Sequence, residues 1–142
     1  MKIAVDFDGT IVEHEYPKIG KEMAFAFTTL KELQKQGHQI VLWTFRSGKE
    51  LDEAIEYCRK NGLEFFAINE SEANEEFDPE KMSRKIDADI FIDDRNVGGF
   101  LGWSRIWQML NPHIYEGEGP IINPTAHMNK SNSLIDKIKN LF

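Results

Sequence analysis

The stretch "KIAVDFDGT", Lys2 to Thr10, decides the fold: an oily run ends in two acids separated by one residue, and the chain then turns on a glycine. Three further apolar runs share its character, "HQIVLWT" (38–44), "LEFFAIN" (63–69) and "ADIFIDD" (88–94). Near-continuous apolar runs, as opposed to strict alternation, mark strands of a sheet covered on both faces. Between them lie helical patterns. Met23, Ala26, Phe27, Leu30 and Leu33 follow the i, i+3, i+4, i+7 spacing up to Gly37; Leu51, Ala54, Ile55 and Cys58 repeat it before Gly62, and Trp103, Ile106, Trp107 and Leu110 before Pro112. The order β-α-β-α-β-loop-β-α predicts an α/β fold with a parallel sheet and right-handed crossovers. The tryptophans Trp43, Trp103 and Trp107 read as core.

At 142 residues the chain is expected to form one domain, a core over about 1–112 followed by an extension over about 113–142. Within that extension "SNSLIDKIKNLF" carries an apolar stripe behind Ser133 and predicts a last helix. A hydrophobic fraction of 41% suffices for an ordinary core. The one cysteine, Cys58, has no partner for an internal disulfide, Met1 leads straight into "KIAV", and no span reaches membrane length, so a cytoplasmic protein away from membranes is expected. A formal charge of −7 speaks against a nucleic-acid partner. The acidic stretch "NESEANEEFDPE", 69–80, reads as a solvated loop.

In open parallel sheets ligands bind beyond the carboxyl ends of the strands. Here those ends carry Asp6 and Asp8, then Thr44, then Asp93 and Asp94. In an extended segment, residues i and i+2 point to one side, which would send Asp6 and Asp8 into the same crevice. Carboxylates gathered so closely repel one another unless a cation is present, and an all-oxygen, sulfur-free donor set suits Mg²⁺. A calcium-binding loop fails on spacing: Gly9 comes too early after Asp6, and Pro17 stands where such a loop needs its terminal Glu.

With these residues in hand, the chain resembles the haloacid dehalogenase superfamily of phosphohydrolases. The signature D-x-D-G-T is "DFDGT"; the Thr or Ser closing the second strand is Thr44 in "VLWTFR"; the Lys upstream of the last acidic pair is Lys85 in "RKIDADIFIDD"; and the pair itself is Asp93 and Asp94. The motifs arrive in the right order over about the first hundred residues. The resemblance implies a three-layer, Rossmann-like sheet with helices on both faces, Asp6 as nucleophile and Asp8 as general acid and base. It implies Mg²⁺ held by the Asp6 carboxylate, the Asp8 main-chain carbonyl and Asp93, with Asp94 binding through water or orienting. Thr44 and Lys85 would grip phosphoryl oxygens, with Gly9 and Thr10 on the substrate side and Arg46 either reaching the phosphate or covering the sheet edge. By the same resemblance Asp8 points to a phosphatase or phosphomutase, since the ion-pumping branch carries Thr there and the dehalogenases lack this Asp.

The chemistry calls for these residue types on its own terms. A carboxylate attacks phosphorus poorly until charge is neutralised, and a covalent aspartyl-phosphate divides one hard displacement into two. A cation such as Lys85 matches charge spread over the equatorial oxygens. Relatives usually choose substrates with an inserted cap. Between Thr10 and Lys21 only the short flap "IVEHEYPKIG" fits, and between Thr44 and Lys85 the chain must already build a helix, a strand and a loop. The expectation is therefore a capless, open site, covered in part by the flap, the tail or another subunit in a homo-oligomer. The alternatives are a non-catalytic phosphate- or partner-binding module on the same scaffold, and a phosphotransferase.

Overall fold

The computed structural model describes residues 1–114. In chain order it holds β1 (Lys2–Val5), α1 (Ala26–Lys35), β2 (Gln39–Leu42), α2 (Gly48–Lys60), β3 (Ala67–Ile68), β4 (Ile90–Ile92), α3 (Trp103–Leu110) and a 3₁₀ turn (Pro112–Ile114). The sheet order is β3-β2-β1-β4 and every pairing is parallel. This is the α/β architecture that the apolar runs predict. The last helix expected over "SNSLIDKIKNLF" lies outside the described residues.

Register shows how the runs divide between two faces. Ala4 pairs with Val41 on one side and Phe91 on the other, and Val41 pairs with Ala67. These four share a face, where Ala4, Val41 and Ala67 cluster with Ile86, and Trp43, Phe66, Ala88 and Phe91 pack around them. Side chains alternate along a strand, so Ile3, Val5, Ile40 and Leu42, all buried, occupy the opposite face. The steps from β1 to β2 and from β2 to β3 run in the same direction, and right-handed crossovers then put α1 and α2 together on that opposite face. Leu30 and Leu33 of α1 and Ala54 and Cys58 of α2 are buried. The return from β3 to β4 passes over β2 and β1, and cover on the Ala4 face comes from this helix-free crossover through Ile86.

The strands are shorter than the apolar runs because their ends bend into the carboxyl edge while keeping one more ladder bond each. Asp6 N–H donates to Ile92 O at 2.9 Å, Trp43 N–H to Val5 O at 2.9 Å, and Asn69 N–H to Leu42 O at 2.7 Å. Helix α1 starts at Ala26, not Met23, since Phe25 adopts a left-handed φ of 67° immediately before the helix.

Residues 1–103 form one compact unit, and the described residues from 104 onward belong to a second. In the second, Asn111 ends α3 through its side-chain amide, which donates to Trp107 O at 3.1 Å. Among the described residues no helix is long and apolar enough to cross a membrane.

Candidate metal centre and the turn that builds it

Extended backbone stops at the end of β1. The Phe7 carbonyl accepts N–H bonds from Thr10, Ile11 and Val12 at 3.3, 2.9 and 3.1 Å, so the chain coils tightly around it. The i, i+2 argument that sends Asp6 and Asp8 the same way therefore fails one residue beyond the strand, and the two carboxylates part. Asp6, Asp93 and Asp94 each offer an oxygen, and these oxygens lie within 4.8 Å of one another. The Asp8 carboxylate is outside this group: Arg46 holds it as a bidentate pair, Nε donating to Oδ2 and Nη2 to Oδ1, both at 2.7 Å. The expectation of a metal contact at Asp8 concerns its main-chain carbonyl, on which this pairing has no bearing.

Thr10 is the hub of the cluster. Its hydroxyl donates to Asp6 Oδ2 at 3.1 Å and accepts from the Asp94 N–H at 3.1 Å, while its carbonyl accepts from the Trp103 indole N–H at 2.8 Å. It is fully buried, so it positions the acids instead of facing a substrate as the sequence suggests. Gly9 has a φ of +85°, and a Cβ placed there would collide with the Asp94 carboxylate. Both facts require glycine: an L side chain is strained at that φ, and Asp94 sits where a methyl group would be. Asp93 is tied down from behind, its Oδ1 accepting from the Arg95 N–H at 2.8 Å.

The electrostatics follow from crowding. The Asp6 carboxyl is pushed up to about 7, first by burial and next by the charge of Asp93; hydrogen bonds from the Phe7 backbone and Thr10 pull the other way, and Asp94 adds to the rise. Asp94 is likewise raised, by burial first and then by its hydrogen bond and like charge with Asp93. One oxygen, Asp94 Oδ1, is buried with no hydrogen-bond partner among the described residues. A buried anionic oxygen without a donor is costly, and a cation is a natural remedy. Three converging carboxylates, all hard oxygen donors, could hold a divalent cation such as Mg²⁺.

The remaining expected residues divide. Thr44 sits at the same edge with its N–H bonded to Asn69 Oδ1 at 2.8 Å and its hydroxyl accepting from the Arg46 N–H at 3.2 Å. Lys85 is exposed, its ammonium 5.7 Å above the Phe91 ring, and no ion pair brings it to the acids. Lys81, the other lysine upstream, pairs with Asp78 at 3.1 Å. Arg46 does not reach toward a substrate phosphate: its side-chain donors are engaged within the protein.

Two positioning residues escape the sequence reading, and a third is named there in another role. Asn69, taken as the end of a strand, adopts a φ of 54° and pins Thr44; an Asn closing an apolar run, tolerant of left-handed backbone, is the signal. Trp103 reads as core from its spacing, and nothing in the pattern reports its indole bond to Thr10. Arg46 is legible as a phosphate contact or a cover for the sheet edge, and its pairing with Asp8 is not.

A solved structure of a conserved protein coded by a locus from Bacteroides thetaiotaomicron is 56% identical to this chain, with a TM-score of 0.74, covering 80% of this chain and 91% of that one. The chain belongs to the family of that protein. No family model and no curated protein matches it.

Proposed function

We propose that the chain is a Mg²⁺-dependent phosphomonoesterase that works through an aspartyl-phosphate on Asp6, as the haloacid dehalogenase signature implies. The observation that carries this reading is the convergence of Asp6, Asp93 and Asp94 at the carboxyl ends of β1 and β4, with one Asp94 oxygen buried and without a partner among the described residues. Asp6, Asp93 and Asp94 would hold the ion, which when bound offsets negative charge between the acids and a phosphoryl dianion.

The chain's own residues then have distinct tasks. An Asp6 oxygen attacks phosphorus and the bond to the leaving oxygen breaks, with Asp8 delivering a proton to that oxygen. Water next attacks the phosphoryl group, gives its proton to Asp8, and the acyl oxygen of Asp6 is released. Thr10 orients Asp6 throughout. Lys85 stands above Phe91, two residues before Asp93 on the same stretch of chain and so about 7 Å back along it. Its flexible stem makes a phosphoryl contact a matter of rotamer. Neither interval between motifs carries an inserted cap, which suits substrates with bulk beyond the phosphate. A net charge of −7 disfavours nucleic acid.

The test is hydrolysis of an aryl phosphate with Mg²⁺. D6N is expected to lose turnover by a factor of at least about a thousand; full activity in D6N defeats the assignment. A second reading, a phosphate- or partner-binding module, is favoured by one observation: Arg46 engages both oxygens of Asp8, the residue assigned to proton transfer. Beryllium fluoride separates the two. A trapped acyl-phosphate mimic on Asp6 supports hydrolysis or phosphotransfer, whereas phosphate binding without trapping supports the module.

A further inference from the structure

Arg46 is a buried cation, its side chain 0% exposed. A guanidinium has five N–H donors, and here each has an acceptor. Nε and Nη2 bind the two Asp8 oxygens at 2.7 Å; Nη2 also donates to Lys18 O at 2.7 Å, and Nη1 donates to Pro17 O at 3.0 Å and Glu50 O at 3.3 Å. The rings of Phe7 and Tyr16 lie 5.0 and 5.2 Å from the guanidinium carbon. The acceptors belong to three separate pieces of chain: the turn after β1, the flap, and the first turn of α2. Among the described residues the flap's other backbone closures lie near its ends, where Glu13 N–H donates to Lys21 O at 2.7 Å and Met23 N–H to Ile11 O at 2.9 Å. With every donor engaged inside the fold, Arg46 has none for a ligand, and losing one acceptor strands a buried donor.

We propose that Arg46 is a positioning residue that couples the placement of the Asp8 carboxylate to that of the flap between Ile11 and Met23. Displacing the flap loosens Asp8, and altering Asp8 loosens the flap. The consequence for turnover rests on the phosphatase reading above; the mechanical coupling does not.

Trypsin reads the coupling directly. The Lys18 side chain is exposed, while its carbonyl, the acyl group of the scissile bond to Ile19, is held by Arg46. D8N removes a charged anchor of Arg46 far from that bond in sequence, and R46K replaces the fork with a single ammonium. Each is expected to be cut after Lys18 about tenfold faster than the unaltered protein, with cleavage after Lys35 unchanged. Cleavage at the unaltered rate in D8N overturns the proposal, and D8N decides the matter even if R46K does not fold. With an aryl phosphate and Mg²⁺, R46K is expected to lower kcat about tenfold and leave KM within about twofold. A raised KM at constant kcat would mean that Arg46 grips the phosphate, which also overturns it. Absence of turnover in the unaltered protein defeats the phosphatase reading alone, and the proteolysis result still stands.

Discussion

At the residue scale, the acids behind Gly9 behave as a strained set held by Thr10. The raised Asp6 carboxyl has a signed consequence for stability. Its ordinary value is 3.8 and its value in the fold about 7, so between these pH values the folded chain holds a proton that the unfolded chain has released. Stability without a divalent cation therefore falls as pH rises from about 4 to about 7, by up to about 4 kcal/mol. Urea unfolding in chelator across that range is expected to show the decline, and D6N to flatten it. A profile unchanged by D6N would place the strain elsewhere. "DFDGT" made the acids and the glycine legible, but the direction of Asp8 was not, because a contact across 38 residues with Arg46 leaves no periodic trace.

At the scale of elements, the ends of strands and helices were decided by local backbone and by hydrogen bonds beyond the element. Periodicity places α1 but carries its pattern back to Met23, across a left-handed Phe25 that no helix can include. The flap itself shows no apolar period, so its closed form was illegible. What holds it includes a close approach: a Cβ on Gly20 would run into the Glu13 carbonyl. Gly20→Ala is expected to open the flap, raising tryptic cleavage after Lys18 several-fold. Global stability should fall by about 1–2 kcal/mol, measured by urea unfolding. Equal cleavage rates would show that the flap tolerates the methyl group. The crossover from β3 to β4 makes the same point from the other side. Its charge reads as solvated, and its loop is indeed mostly exposed, yet Asn69 at its start and Ile86 near its end are pinned to the edge and the face of the sheet.

At the scale of the whole molecule, a cation held by the crowded acids on the sheet edge would couple its binding to folding. Saturating Mg²⁺, about a hundred times its dissociation constant, is expected to stabilise the chain by about 2.7 kcal/mol, raising the unfolding midpoint by about 10 °C. The shift should be larger at pH 8 than at pH 5, because below about 7 a proton on Asp6 competes with the ion. D93N should remove most of it. Differential scanning calorimetry with and without Mg²⁺ checks all three statements, and no shift at pH 8 would deny the cluster its cation.

The sequence by itself determined the strands, their parallel pairing, the helices that stop at Gly37 and Gly62, and the edge at which the acids collect. Those properties follow from local periodicity and from strand ends, which neighbours along the chain dictate. Only tertiary structure decided which acids meet, that Asp8 turns to Arg46, that Thr10 lies buried beneath Trp103, and that Lys85 rests on Phe91. Each of these joins residues distant in the chain or follows from a tight turn, where direction depends on which donor finds which acceptor in space.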